Sequence, residues 1–235
     1  MSIEDIFPID KWDYKSQSIL SDLPAEDIRR LMIRQYEQVY KKGEIIFKEG
    51  GFPSSIYYIK NGKVKKYKID VDGSEQIIYV ANKGELLGYH ALLADDYYPD
   101  SAGALEECDV MIIPREDFLE TLQHSSTLTR RLLKTLSHEF TVFANSLTLF
   151  AQRPVRERLA VQLIVLREKY KEDFEPGMEV TIGLSREDLA SLTGTARENV
   201  VRTLAEFRDL GILETKGTAI IIKDVKKLIG IANYK

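Results

Sequence analysis

The sequence predicts an α+β protein: an antiparallel β barrel or jelly roll, then a long helix, then a winged helix-turn-helix. Three observations support this prediction. Residues 39–114 hold short β-rich runs separated by turn signals, residues 115–150 carry apolar side chains at helical spacing, and two short helical patterns meet at Gly194. A chain of 235 residues can form two modest domains, each with its own core. The predicted boundaries are 1–114, 115–152 and 153–235.

The N-terminal third begins with a predicted helix over residues 21–31, whose start is marked by Ser21, Asp22 and an early proline, Pro24. Strand-like runs follow, and each ends at a turn signal. These runs are 56–59 before Asn61-Gly62, 64–69 before Asp72-Gly73, and 76–80 before Lys83-Gly84. Asn-Gly and Asp-Gly are strong hairpin signals, and strands at this spacing indicate an antiparallel barrel or jelly roll. Such a barrel either holds a ligand cavity or is filled by its own side chains.

The segment after residue 115 is predicted to be helical, with one apolar face. The residues of this face are Leu128, Leu132, Leu136, Phe140, Phe143, Leu147 and Phe150. The face can pack on its own barrel or pair with the same helix of a second subunit, and the length and the mixed polar opposite face favour pairing. The candidate dimer interface is Leu132, Leu136, Phe140, Phe143 and Leu147. Arg153-Pro154 ends this helix, and residues 155–170 form another.

The C-terminal part contains the most informative motif. Steps of about 100° per residue place Val200, Leu204 and Phe207 on one face of the second helix, whereas Arg197, Glu198, Val201 and Arg202 share another. In the DNA major groove, Arg suits guanine O6/N7 and Glu suits the cytosine N4 amine. The candidate DNA-binding residues are Arg197, Glu198, Arg202, Thr195, Asn199, Val201 and Lys216.

Other interpretations of these residues stay open at this point. A charged face can simply be solvated, and Thr195 with Glu198 could form a capping box instead of contacting a base. Ser185 with Asp188 offers a similar cap to the preceding helix. After the second helix, two short strand patterns surround Lys216-Gly217. A hairpin in this position is a wing, and Lys216 at its tip could contact a phosphate.

Composition and charge limit the possible functions. The net charge is −4, but residues 153–235 contain 15 basic and 13 acidic side chains, whereas residues 1–152 contain 18 and 24. This asymmetry favours DNA binding by the C-terminal part. No apolar run approaches the ~18 residues of a membrane helix, and the N-terminus does not resemble a signal peptide, so we expect a cytoplasmic protein with no membrane partner. No nucleophile–base pair or phosphate loop indicates an enzyme.

Metal and redox chemistry have few candidates. The single cysteine, Cys108, cannot form a disulfide or a multi-cysteine metal site within one chain. It lies in a strand-like run, which favours a buried side chain over a redox sensor. We expect no cofactor.

The order of barrel, long helix and winged helix-turn-helix resembles the CRP/FNR family of bacterial transcription regulators. The resemblance covers nearly the whole chain and is strong in residues 184–213, with further matches in Lys42–Gly50 and Tyr57–Gly62. It implies a cyclic-nucleotide-binding β-roll, a dimerisation helix and a winged helix that binds double-stranded DNA as a homodimer.

The family's recognition helix carries an R-E-x-x-x-R pattern, matched here by Arg197, Glu198 and Arg202. The resemblance therefore implies that the two arginines read guanines, that the glutamate reads a cytosine, and that the half-site is of the TGTGA type. It also places Glu172–Phe174 where an activating relative touches RNA polymerase, which is a possible further partner.

The effector region departs from the family pattern. In relatives that respond to cyclic AMP, the Glu of a G-E-L segment binds the ribose and the Arg of a later R-S-A segment holds the phosphate. Gly84-Glu85-Leu86 resembles the first segment, but the strand register favours Gly88-Tyr89-His90. Tyr89 then replaces the Glu, and Asp100, before Ser101, replaces the Arg. The candidate effector residues are Tyr89, His90, Asp100 and Ser101.

An aspartate repels a phosphate, and no Arg lies between Gly84 and Arg115. We therefore expect no response to cyclic AMP, although an unknown small-molecule effector stays possible. The family's N-terminal cysteine cluster is absent, and a haem would need ligands from His90, His124, His138 or Cys108. Residues 97–99 either line an altered pocket or pack as a loop. The alternative function from another class is a sensor or interaction module whose helix-turn-helix no longer binds DNA.

Overall fold

The computed structural model describes Ile3 and residues 5–14, 16–171 and 179–234. It divides into two compact units, Tyr14–Phe140 and the combination of Met1–Asp13 with Thr141–Lys235. The strands are β1 Tyr36–Tyr40, β2 Ile45–Phe47, β3 Ser55–Asn61, β4 Val64–Ile69, β5 Glu75–Ala81, β6 Leu86–Leu87, β7 Ser101–Ala104, β8 Cys108–Pro114, β9 Thr181–Gly183, β10 Leu213–Lys216 and β11 Ala219–Ile222. The α-helices are α1 Ala25–Leu31, α2 Tyr89–Ala94, α3 Arg115–His124, α4 Ser126–Gln152, α5 Val155–Lys171, α6 Arg186–Thr193, α7 Arg197–Asp209 and α8 Val225–Ala232.

The first unit is a β-roll of two four-stranded antiparallel sheets, with strand orders β1-β8-β3-β6 and β2-β7-β4-β5. Of the predicted turns, Asp72-Gly73 joins the paired strands β4 and β5. Asn61-Gly62 does not form a hairpin, because β3 and β4 belong to different sheets. Gly62 has a φ of +88°, and a Cβ there would lie 2.5 Å from the Glu107 carbonyl oxygen. The glycine thus allows the chain to cross between the sheets close to the start of β8.

The helices of this unit differ in two places from the sequence prediction. Helix α1 begins at Ala25 and not at Ser21, since Pro24 is extended and forms the N-cap. The helical region after residue 115 is two helices, because Ser125 between α3 and α4 is also extended. The first turns of α4 pack on the core of the unit. This core includes Ile56, Leu86, Tyr89, Leu92, Ile113, Phe118, Leu128 and Leu132.

The second unit contains the predicted winged helix-turn-helix. Its sheet has the order β10-β11-β9, and β10 and β11 form the wing hairpin expected around Lys216-Gly217. Strand β9 and helix α8 are additional to the elements predicted from the sequence. The N-terminal segment also belongs here. Asp13 Oδ1 lies 2.8 Å from the buried Lys169 Nζ, and the Trp12 ring meets the Tyr234 ring edge-on at 4.5 Å.

No helix in the described part of the chain is both long enough and apolar enough to span a bilayer.

Candidate DNA-binding and effector sites

Helices α6 and α7 are held in a helix-turn-helix by specific terminal contacts. The Ser185 side chain caps α6 by accepting a hydrogen bond from the Asp188 amide at 2.9 Å. Gly194 ends α6 in the left-handed region, with a φ of 66°, which favours glycine. Arg158 of α5 donates to the Gly194 carbonyl at 2.9 Å and to the Phe150 carbonyl at 3.2 Å. These contacts fix the turn that sets the direction of α7.

The two faces of α7 separate as the helical spacing predicts. Val200, Leu204 and Phe207 are buried, whereas Arg197, Glu198, Val201 and Arg202 are exposed. The capping-box alternative is not realised: the N-cap of α7 is Ala196, and it makes no side-chain cap. Instead, the Thr195 hydroxyl accepts from Asn199 Nδ2 at 3.0 Å, and Asn199 Oδ1 accepts from Arg202 at 2.9 Å. Glu198 is thus left exposed on the same face as the two arginines.

The wing is attached to the start of α6 by Arg186. Its guanidinium donates to the carbonyl oxygens of Gly217 and Thr218 at 3.1 and 3.0 Å. Burial is the main cause that lowers the pKa of Arg186, and the nearby Arg197 charge lowers it further. Lys216 is exposed beside this turn. The wing tip and α7 therefore present exposed positive side chains on one unit, Lys216, Arg197 and Arg202, which are suited to contacts with DNA.

One part of the apolar face of α4 packs on the β-roll core, and the other part is exposed. Leu132 is only 3% exposed and Leu136 is partly buried, because both pack on the β-roll core. Leu132 is therefore not available on the surface, which corrects its placement in the dimer interface. Leu133 is exposed instead. Leu133, Leu136, Phe140, Phe143 and Leu147 follow a 3-4-3-4 spacing, and the four members other than Leu136 are 54–74% exposed. This spacing is that of a coiled-coil seam.

Tyr89 and His90 lie at the start of α2 and share one partner. Tyr89 is fully buried, and its hydroxyl donates to Glu139 Oε1 at 2.5 Å. His90 Nε2 lies 2.8 Å from the other oxygen of the same carboxylate. Burial first, and then the Glu139 charge, raise the pKa of Tyr89, so this side chain is a neutral donor. Glu139, on α4, is itself buried.

Asp100 and Ser101 are also engaged by their own unit. Asp100 Oδ2 lies 2.8 Å from Lys66 Nζ, and both side chains are about one-tenth exposed. The Ser101 hydroxyl accepts a hydrogen bond from the Glu49 amide at 2.9 Å. The ring of the buried Tyr79 lies 5.7 Å from Lys66 Nζ, and its pKa is raised mainly by burial and also by Glu85, Glu139, Tyr89 and Asp100. Tyr89 and His90 thus share the Glu139 carboxylate, whereas Asp100 is held by Lys66 and Ser101 by the Glu49 amide.

The site residues predicted from the sequence do not include their neighbours Lys66, Tyr79 and Glu139. The absence of an arginine between Gly84 and Arg115 does not exclude a cation beside Asp100, because Lys66 comes from β4, which pairs with β7. A lysine within a β-rich run was the available signal for Lys66. Glu139 offered a similar signal, since it is an acidic residue directly before Phe140 on a helix with an apolar face. Only the fold shows that these charges point into the unit.

Cys108 and His124, two of the candidate haem ligands, lie in different surroundings. Cys108 is buried, and burial raises the pKa of its thiol to about 11. His124 is exposed, with Nδ1 2.8 Å from the Glu120 carbonyl oxygen. Within the described ranges, no three His, Cys, Asp or Glu side chains are grouped as metal ligands. Residues Glu172–Phe174, the possible polymerase contact, lie outside the described residues.

Comparison with known protein families gives two matches along the chain. Residues 37–125 match the model of the cyclic nucleotide-binding domain, and residues 157–231 match that of the Crp-like helix-turn-helix domain. The first match covers the β-roll and α3, and the second covers the helix-turn-helix and the wing.

Curated relatives are transcription regulators. The chain is 28% identical to the transcriptional activator protein anr of Pseudomonas aeruginosa, over 82% of this chain and 78% of that protein. It is also 28% identical to the fumarate and nitrate reduction regulatory protein of Escherichia coli K12, over 83% of this chain and 77% of that protein. An anaerobic regulatory protein of Aggregatibacter actinomycetemcomitans is likewise 28% identical, over 82% of this chain and 74% of that protein.

Solved structures share the fold. FixK2 from Bradyrhizobium japonicum superposes with a TM-score of 0.75 at 22% identity, covering 86% of this chain and 98% of that one. The c-di-GMP responsive regulator CLP from Xanthomonas campestris superposes with a TM-score of 0.70 at 22% identity, covering 85% of this chain and 99% of that one.

The two domain matches, the regulatory relatives and the shared fold agree with the geometry of the β-roll and the helix-turn-helix. The chain belongs to the CRP/FNR family of transcription regulators and carries the family's helix-turn-helix DNA-binding domain at its C-terminal end.

Proposed function

We propose that this regulator binds a roughly palindromic operator as a homodimer, reading bases with α7 and contacting phosphates with the wing. The observation that carries the proposal is the exposed face of α7, where Arg197, Glu198 and Arg202 lie opposite a fully buried apolar face. A helix anchored in this way can enter the major groove without losing its packing.

The three exposed side chains suggest a specific half-site. An arginine fork matches guanine O6 and N7, and a glutamate accepts from the cytosine N4 amine. Together with the family pattern, this supports a TGTGA-type half-site. In a symmetric dimer, the two half-sites would be about 34–36 Å apart, in successive major grooves.

The α4 seam supports the dimer. Exposed leucine and phenylalanine side chains at coiled-coil spacing would be removed from water if two copies of α4 paired. Leu133 joins Leu136, Phe140, Phe143 and Leu147 in the proposed interface, in place of Leu132.

We also propose that cyclic AMP does not control this regulator. Lys66, the cation beside Asp100, already pairs with that carboxylate, so a phosphate would have to displace a buried ion pair. The Tyr89 hydroxyl is likewise engaged by Glu139. Isothermal titration with cyclic AMP up to about 1 mM should give no binding heat, whereas saturable binding with a micromolar Kd would contradict the proposal.

Selection from random duplexes tests the DNA-binding proposal. We expect enrichment of a palindrome, and a sensor or interaction module without specific DNA binding would enrich none. Arg197→Ala should cost about 1–3 kcal/mol on the selected site and relax the choice at one base pair. Lys216→Ala should instead weaken binding evenly across sequences and lower the salt dependence. Equal losses on selected and random DNA for Arg197→Ala would contradict base reading by this residue.

We propose two further partners. One is a small-molecule effector other than cyclic AMP, and the other is RNA polymerase, contacted by Glu172–Phe174. Native mass spectrometry of protein purified from its host tests the first, and polymerase pull-down with a Glu172→Ala/Asp173→Ala variant tests the second. A spectrum that shows no bound ligand would contradict the effector. Unchanged polymerase binding by the variant would contradict the polymerase contact.

A further inference from the structure

The described residues place an acidic side chain of α6 against the first arginine of the recognition helix. Glu187 Oε1 lies 2.6 Å from Arg197 Nε. We propose that Glu187 is a positioning residue that orients the Arg197 guanidinium for base reading, and so sets sequence specificity without itself contacting a base. This inference rests on the proposed function, in which Arg197 reads a guanine.

The geometry of the contact leaves the reading edge of the guanidinium available. The ion pair uses Nε, and Arg197 has no other ion pair or hydrogen bond within the described ranges. Two parallel donors are needed for the bidentate contact with guanine O6 and N7. With Nε held by Glu187, the two terminal Nη groups can provide that pair of donors.

The charges around Glu187 support the same role. Arg186, the preceding residue, is bound to the wing carbonyls. Burial lowers the pKa of Arg186, the Glu187 charge raises it, and the Arg197 charge lowers it. Glu187 is therefore electrostatically coupled to a guanidinium on either side. Its carboxylate offsets the repulsion between Arg186 and Arg197, and so allows both to stay on one surface.

The effect of Glu187 should be visible in specificity more than in affinity. In the free protein the Glu187 and Arg197 side chains are 67% and 54% exposed, and ion pairs this exposed contribute little to stability. In the DNA complex the pair would be partly desolvated, and an arginine that is already oriented loses less conformational freedom on binding. A carboxylate near the DNA backbone also disfavours binding to any sequence, so its removal should not weaken non-specific binding.

The test compares four variants of the full chain: Glu187→Gln, Arg197→Ala, their combination, and Glu206→Gln. Glu206 is the matched control, because its carboxylate pairs with Arg156 at 2.7 Å, also on the surface of the second unit. Kd values are measured on the selected operator, on every single-base-pair change in one half-site, and on a random duplex. Circular dichroism melting confirms that each variant is folded.

We expect Glu187→Gln to reduce discrimination about three- to fivefold at the base pair read by Arg197, with other positions unchanged, since a good bidentate contact supplies at least about fivefold. Binding to the random duplex should stay equal or increase. In the Arg197→Ala background, Glu187→Gln should cause no further loss of discrimination, and Glu206→Gln should change no position.

An equal change at all base pairs, or the same loss in the Arg197→Ala background, would overturn the role of Glu187 and leave base reading by Arg197 intact. Unchanged base preference in Arg197→Ala would overturn both. The two failures are therefore distinguishable.

Discussion

The buried pair between Lys66 and Asp100 allows a quantitative test of the idea that the β-roll is filled by its own charges. The two groups lie 2.8 Å apart and are 9% and 10% exposed. Asp100→Asn would leave the Lys66 ammonium buried without its counter-charge. Breaking one partner of a buried pair costs about 3–5 kcal/mol, because the remaining charge has no compensation. The Tyr79 ring, 5.7 Å from Lys66 Nζ, can offset about 1 kcal/mol of this cost. We therefore expect a loss of about 2–4 kcal/mol.

A double-mutant cycle separates this pair from general effects of substitution. The combination Lys66→Met/Asp100→Asn removes both charges, and we expect it to lose less than the sum of the single variants, with a coupling of at least about 1 kcal/mol. Glu37→Gln is the matched control, since Glu37 pairs with Lys60 at 2.6 Å on the surface of the same unit. That exposed pair should contribute about 1 kcal/mol or less.

Urea unfolding followed by far-UV circular dichroism measures these free energies. The sole tryptophan, Trp12, belongs to the other unit, so its fluorescence does not report on the β-roll directly. A loss below about 1 kcal/mol for Asp100→Asn, equal to that of Glu37→Gln, would show that the Lys66–Asp100 pair behaves like an exposed one. Additivity in the double variant would contradict the expected coupling, because two side chains that do not interact have no coupling energy.

Two further predictions concern the α4 seam and the buried cysteine. Phe143→Glu places a charge in the proposed dimer seam and should produce monomers in sedimentation equilibrium. Thr141→Glu, at an exposed position away from the seam, is the control and should leave the dimer intact. A dimeric Phe143→Glu variant would show that the seam is not part of the interface. Burial raises the pKa of Cys108 from 9.0 to about 11, so its contribution to stability is fully present below pH 9 and is lost as the pH rises towards 11. Iodoacetamide at pH 8.5 should therefore modify Cys108 only after unfolding, as mass spectrometry would show, and rapid labelling of the folded protein would contradict its burial.

Local patterns predicted much of the fold and of the DNA-binding helix. Helical spacing alone separated Val200 and Leu204 from Arg197 and Arg202, since neighbouring turns of one helix decide which side chains share a face. The Ser185 cap and the Gly194 turn were equally visible, because caps and left-handed positions favour few residue types. The same signals did not show which strands pair, so Asn61-Gly62 wrongly indicated a hairpin.

Local patterns are enough to predict the order of β-roll, long helix and winged helix-turn-helix, and the residues that α7 presents to solvent, because these depend on periodicity and on neighbours in the chain. The partners of each charged or apolar side chain depend instead on the folded arrangement. It paired Lys66 with Asp100 and Glu139 with Tyr89, and it buried Leu132 while exposing Leu133. The physical reason is that these contacts join segments distant in the chain, and the packing of strands and helices, which no local pattern encodes, brings them together.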